Sequence, residues 1–154
     1  MQRVLDVFLS GIAIILLSPI LGPIFCLLKM TGEGEVFYKQ YRVGEKGSPF
    51  GLIKFATMLK DSPSLGSGDI TIKNDSRVLP LGKFLRKSKI NELPQLLNIF
   101  IGDMSIVGPR PMVPNTYAKY PKEAQKVLNT VKPGLTGIGS IIFRDEERLL
   151  DGRE

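Results

Sequence analysis

Apolar and polar residues are distributed in two very different ways along this chain. From Val7 to Leu28 the run VFLSGIAIILLSPILGPIFCLL contains no charged side chain. As a straight helix it would extend about 33 Å, enough to cross a hydrocarbon core of about 30 Å. It is longer than the apolar part of a secretory signal, and Lys29-Met30-Thr31-Gly32 is a poor cleavage site. Pro19 and Pro23 lie in its second half, and each removes a backbone hydrogen bond. In lipid the freed carbonyl needs a donor, and the Ser18 hydroxyl is a local one. Periodicity alone leaves a kinked span and a re-entrant, broken helix equally open. Arg3 is the lone basic residue before the run, whereas Lys29, Lys39, Arg42 and Lys46 follow it closely. That asymmetry predicts a cytoplasmic position for the remainder of the chain.

Shorter periods follow. Val36–Tyr41 and Phe50–Phe55 read as strands joined by a Gly44–Pro49 turn, a β-hairpin. Asp61–Asp75, rich in Ser, Gly and Asp, reads as a surface loop. Over Val78–Lys87 the spacing predicts a basic amphipathic helix, with Leu81, Phe84 and Leu85 on one face. Leu93, Leu96, Leu97, Phe100 and Ile101 define a further helix, with Asn91 as N-cap, Glu92 in the first turn and Gly102 at its end. A short strand at Met104–Val107 leads into Gly108-Pro109-Arg110-Pro111, which holds a guanidinium between two prolines. A helix over Lys122–Asn129 is expected to bury Ala124, Val127 and Leu128. Pro133-Gly134 breaks the chain, Gly137–Phe143 is extended, and Arg144–Arg148 begins a charged helix. The fold class is α+β: a membrane helix at 1–30, then a small domain over 31–154 with a hairpin and amphipathic surface helices.

Composition narrows the chemistry. The 154 residues include no His, no Trp and one Cys, Cys26. This excludes imidazole-based nucleophile activation, His-ligated zinc and an internal disulfide. The formal net charge of +6 calls for an anionic partner. Carboxylates, Lys, Arg, Tyr, Ser and Thr remain as chemistry, with a hard metal ion as a further option. Glu92 beside Lys83, Arg86, Lys87 and Lys89, with Arg110 on its stiff loop, suits a diphosphate held with Mg²⁺. Taken singly, each has a plainer role: Glu92 as a helix-dipole partner, Arg110 as a loop brace, the lysines as a solvated face, Asp103 as a turn residue. Asp145, Glu146 and Glu147 could hold Mg²⁺ but read equally as exposed helix charges. Attachment to a membrane makes a lipid the natural second substrate. An aromatic content of 8% and the apolar anchor argue against a nucleic-acid binder.

An ordered series of motifs adds a resemblance. Phe37 with Gln40-Tyr41-Arg42-Val43-Gly44, Lys54-Phe55-x-Thr57-Met58, Lys73–Val78, Gly82–Lys87, Glu92–Leu96, Gly102–Pro111 and Lys132–Gly137 resemble the bacterial sugar transferase family, the monotopic phosphoglycosyl transferases. The likeness runs to about Arg144. It implies transfer of a sugar-1-phosphate from a UDP-sugar to polyprenol (undecaprenyl) phosphate, with release of UMP, as the first step of a surface glycan or exopolysaccharide. It further implies a re-entrant membrane helix broken at Ser18-Pro19, Mg²⁺ held by Glu92, and Arg86, Arg110 and Arg144 on the nucleotide-sugar phosphates, with Lys54 as a further binding residue. The partners expected are a UDP-sugar, polyprenol phosphate and bacterial inner-membrane lipids, with homodimerisation left open and no nucleic acid.

Two positions depart from the pattern. Asn91 stands where the family has the Asp that attacks phosphorus, and Ala56 stands where it has an Arg. An amide carries no charge and is a poor nucleophile. Asn91 fits an inactivating substitution, a divergent subgroup using direct attack by the acceptor phosphate, or a chain that has lost catalysis. The last would be a membrane-anchored module binding a nucleotide sugar or a partner. The chain also ends soon after its last motif, which reads as a C-terminal truncation.

Overall fold

The computed structural model describes residues 1–31, 33–60 and 76–137. The expected Asp61–Asp75 loop, the extended stretch beyond Gly137, and the charged segment with Arg144, Asp145, Glu146 and Glu147 lie outside the described residues.

The apolar run forms one helix, α1 (Gln2–Met30). Ser18 and Pro19 do not interrupt it, in contrast to the break expected there. The missing Pro19 amide would have bonded the Ile15 carbonyl. The Ser18 hydroxyl donates to that carbonyl at 2.7 Å instead, so the local donor removes the reason for a break. Along α1 a single face turns inward: Asp6, Ser10, Ala13, Ile14, Leu17, Leu21, Ile24 and Leu28. This spacing of three and four residues is a helical seam. The opposite face exposes Val4, Leu5, Phe8, Leu9, Ile12, Ile15, Leu16, Ile20 and Leu27.

Both ends of α1 meet the domain. Near its start Arg3 donates to the carbonyls of Ile99 and Phe100, the buried Asp6 carboxylate accepts the Ile106 amide at 3.0 Å, and Gln2 Nε2 donates to Ser105 Oγ at 3.0 Å. Near its end Ile24 and Leu28 pack with Val36, Phe55 and Leu85. Between them, Ala13, Ile14 and Leu17 lie on a second cluster of Leu52, Leu96, Ile99 and Met104.

The hairpin forms as expected, with β1 (Phe37–Val43) antiparallel to β2 (Pro49–Phe55). Pairing of Tyr38 with Lys54, Gln40 with Leu52 and Arg42 with Phe50 puts these six residues on one face. Next comes α2 (Pro80–Lys87). Its inward side carries Leu81, Gly82 and Leu85, and Phe84 is 61% exposed rather than buried. The cause is Gly82: a Cβ there would lie 2.1 Å from the Thr57 carbonyl oxygen. This backbone contact fixes the helix's rotation and leaves Phe84 outside.

The next helix is shorter than its apolar period suggested. Ile90–Glu92 is a 3₁₀ turn, and α3 spans Gln95–Ile101. Asn91 is therefore not its N-cap, and Glu92 is not in its first turn. Pro94 has no amide to offer Ile90, whose carbonyl accepts the Leu93 amide at 3.1 Å in the tighter pattern. Gly102 ends α3 at φ 109°, as expected. Asp103 is a turn residue, its amide donating to the Asn98 carbonyl and its carboxylate accepting from Asn98 Nδ2.

Strand β3 (Ser105–Val107) pairs in parallel with β4 (Gly134–Thr136). Pro133-Gly134 thus introduces a strand and does not merely break the chain. A Cβ at Gly134 would stand 2.0 Å from the Gly108 amide nitrogen, so the two glycines let the backbones touch. Between these strands lie α4 (Pro114–Tyr117) and α5 (Lys122–Leu128). On α5, Ala124 and Leu128 are half-buried, but Val127 is 68% exposed. Gln125 turns the helix: its Nε2 donates to the carbonyls of Tyr117 and Tyr120.

Candidate active site

Three chain segments converge on one end of the hairpin face. Lys54 and Arg42 project from the same side of paired strands. Arg86 follows Gly82 by one helical turn, so the glycine contact that docks α2 also delivers the guanidinium, whose Nη1 lies 3.7 Å from Met58 Sδ. The Arg110 loop is tied to both sides of the domain. Arg42 Nη1 donates to the Pro111 carbonyl at 3.1 Å, the Val43 amide to that of Met112 at 2.9 Å, and the Gly134 amide to that of Pro109 at 2.9 Å.

The electrostatics of Lys54 report who its neighbours are. Burial pushes its ammonium down from the ordinary 10.5 to about 8; Glu92 opposes the shift, and Arg42, Arg110 and Arg86 add to it. Lys54 thus has Arg86, Arg110 and Glu92 among its charged neighbours. Lys83, Lys87 and Lys89 are exposed, which is the solvated-face role. Arg144 lies outside the described residues.

Asn91 sits beside Glu92 in the 3₁₀ turn, 7% exposed, and its Oδ1 has no hydrogen-bond partner among the described residues. A buried orphan acceptor costs about 1–3 kcal/mol, so it is suited to a donor or cation supplied from outside. Among the described residues no group of three or more His, Cys, Asp or Glu could cage a metal ion. Mg²⁺ commonly takes only one or two protein oxygens and completes its shell with water and substrate phosphates. Glu92 and the Asn91 oxygen fit an ion that arrives with its diphosphate.

Arg42 is a site neighbour for which the sequence motif alone carries no role. The signal was available in the hairpin alternation, because Arg42 and Lys54 share its face once the register is set. The contacts of Arg3 and Asp6 span about a hundred residues of sequence and leave no local pattern.

The chain is similar to known proteins over almost its whole length. The family model described as Bacterial sugar transferase matches residues 1–151. The exopolysaccharide production protein ExoY of Rhizobium meliloti (strain 1021) is 36% identical over 159 aligned residues, covering 94% of this chain and 70% of that protein. A UDP-glucose:undecaprenyl-phosphate glucose-1-phosphate transferase of Klebsiella pneumoniae is 39% identical, over 91% of this chain but 30% of its own length. The undecaprenyl-phosphate galactose phosphotransferase of Salmonella typhimurium is 33% identical, over 95% of this chain and 33% of that protein. The last two are about three times as long as the region they share with this chain. The chain belongs to the bacterial sugar transferase family.

Proposed function

We propose that this protein transfers a sugar-1-phosphate from a UDP-sugar to polyprenol (undecaprenyl) phosphate, releasing UMP and starting a surface glycan or exopolysaccharide. The observation that carries this reading is the gathering of Arg42, Arg86, Arg110 and Glu92 around Lys54 in a domain that packs on an apolar helix. Four cations match a diphosphate donor and a phosphate acceptor, and the exposed face of α1 matches a lipid tail. The relatives with matching names act on undecaprenyl phosphate.

α1 is long and apolar enough to cross a membrane. Its first turns are hydrogen-bonded to the domain that its last turns pack against. A helix standing across a bilayer would carry its ends to opposite faces. We therefore propose that the unbroken α1 is embedded from the cytoplasmic side of the inner membrane without crossing it, its exposed apolar face in lipid, where the basic residues after Lys29 meet anionic headgroups.

In the reaction, a phosphate oxygen of the acceptor forms a bond to the sugar-linked phosphorus, and the bond from that phosphorus to the bridging oxygen breaks as UMP leaves. Arg86 and Arg110 hold the donor phosphates bidentately, and Lys54 contributes a cation from the sheet. Arg144 is proposed for the same phosphates. Glu92, with the Asn91 oxygen, would hold Mg²⁺, which when bound neutralises the diphosphate charge. With an amide at position 91, attack by the acceptor itself is the route that needs no side-chain nucleophile. Asn91 also supports a second reading, a module that binds the sugar nucleotide without turning it over.

Purified protein supplied with Mg²⁺, undecaprenyl phosphate and a panel of UDP-sugars should release UMP, and Glu92→Gln should cut that release by about 100-fold or more. No UMP from any donor, with UDP-sugar binding intact, would favour the binding module. A large gain in Asn91→Asp would instead mean that the chain lacks its nucleophile and would overturn direct attack.

A further inference from the structure

Asn98 lies within α3 and is fully buried where that helix packs on β2. A buried amide needs partners for both of its ends. Its Oδ1 accepts the Ile53 amide at 2.9 Å, and its Nδ2 donates to the Gly51 carbonyl at 2.9 Å and to Asp103 Oδ2 at 3.1 Å. A backbone N–H only donates and a backbone carbonyl only accepts, so Ile53 and Gly51 fix the orientation of this amide. Both groups lie on the edge of β2 away from β1. A residue of a further parallel strand would engage the same two. One side chain thus stands in for a third strand, and it does so at the residue directly before Lys54.

The backbone of Asn98 fixes the other side of the site. Its carbonyl accepts the amides of Gly102, Asp103 and Met104 at 3.0, 2.9 and 3.2 Å, closing the turn that leads to β3 and the Arg110 loop. Towards Glu92, the Leu93 amide donates to the Ile90 carbonyl, the Leu96 amide to that of Leu93, and the Leu97 amide to that of Pro94. The Glu92 turn and α3 are therefore one hydrogen-bonded piece. Apolar contact of Leu52 with Leu96 and Ile99 also joins this piece to β2, but such contact has no direction and tolerates sliding. The two Asn98 bonds are directional and set the position along the strand.

We infer that Asn98 is a positioning residue: its amide holds the Lys54 end of β2 in register with the Glu92 turn, so that cation and carboxylate meet one Mg²⁺–diphosphate together. It touches no substrate and acts through Lys54. The inference rests on the sugar-phosphate transfer reading above.

The test is calorimetric binding of Mg²⁺–pyrophosphate at pH 7 to the full chain in detergent micelles, with thermal unfolding to establish that each variant is folded. Asn98→Ala should weaken binding by about fivefold, as should Lys54→Met, the worth of one partly screened charge. The two changes combined should bind no more weakly than either alone, because both remove the same contact. A merely structural Asn98 would give independent losses, about 25-fold in the double variant, and that result would overturn the inference. A folded Asn98→Ala protein with wild-type affinity would overturn it as well, and either result leaves the diphosphate site standing. If Asn98→Ala does not fold, the comparison passes to Asp103→Leu, which removes the half-buried acceptor that steadies the amide. Asp103→Leu should lose about threefold alone and nothing further with Lys54→Met, and Asp103→Asn, which still offers an oxygen, should bind as the wild type does. An Asp103→Leu protein with wild-type affinity, or with a loss that survives Lys54→Met, contradicts the positioning role. Folded wild-type protein that does not bind Mg²⁺–pyrophosphate would overturn the phosphate-transfer reading, and the role of Asn98 with it.

Discussion

Arg86 and Arg110 reach the same Lys54–Glu92 neighbourhood by two different constructions. Arg86 rides on a helix of eight residues whose placement depends on one backbone contact, Gly82 against Thr57. Arg110 sits on an exposed loop whose ends are tied to a parallel strand pair, to the Gly108–Gly134 contact and to the Arg42 guanidinium. A regular helix can be positioned by a single close approach, because the helix itself transmits the position. A loop carries no such rigidity and is held at several points. The two arginines therefore depend on different contacts for their positions.

The largest effects are expected at the glycines. Gly134→Ala drives a methyl group into backbone 2.0 Å away, and Gly82→Ala into a carbonyl oxygen 2.1 Å away. Each should cost about 3 kcal/mol or more, read as a drop in thermal unfolding temperature. Gly82→Ala should weaken Mg²⁺–pyrophosphate binding along with stability. If both variants retain wild-type stability, the single-contact and multiple-tie constructions are not what hold these arginines.

Replacing each arginine by lysine comes next in size. Arg86→Lys and Arg110→Lys keep charge but lose the fork geometry, and each should weaken pyrophosphate binding by about tenfold with little change in stability. Equal losses would mean that the two constructions end in equivalent phosphate contacts. A loss confined to Arg110→Lys would reduce Arg86 to a partner of Met58.

The smallest effect concerns pH and the cation between them. Lys54 titrates near 8 in the folded chain and at 10.5 ordinarily. The free site loses a positive charge as pH rises through about 8, so pyrophosphate affinity should fall by a fewfold between pH 7 and 9. Stability should move the other way. The lowered value means the unfolded chain binds more protons between about 8 and 10.5, so stability rises with pH over that window. Lys54→Arg, charged throughout, should flatten the affinity profile. A wild-type profile already flat would remove Lys54 from the anion site.

The hairpin, the Lys87 end of α2 and the Gly102 stop were legible because each depends on neighbours in sequence, while the start of α2 falls at Pro80 and not at Val78. Arg86, Glu92 and Arg110 were legible as a charge set that a diphosphate would need, whereas Lys54 entered only with the family resemblance. What escaped depended on contacts between distant segments. Phe84 shares an apolar period with Leu81 and Leu85, but the Gly82–Thr57 contact decides which side is inside. Val127 is turned outward by Gln125 bonding to α4. The N-cap assignment of Asn91 failed because Pro94 withholds the amide that would have extended α3 backwards.

The polar seat of α1 also orders events during synthesis. Arg3 and Asp6 leave the ribosome almost a hundred residues ahead of their partners, Ile99, Phe100 and Ile106. At about 5–20 residues per second, that gap lasts roughly 5–20 s. Through that interval a carboxylate and a guanidinium flank a nascent apolar segment with nothing to bond. Burying them in lipid would carry the cost of unpaired charge. On the proposed membrane placement, the beginning of the helix stays at the interface until the domain exists to receive it, so its seating depends on segments made later.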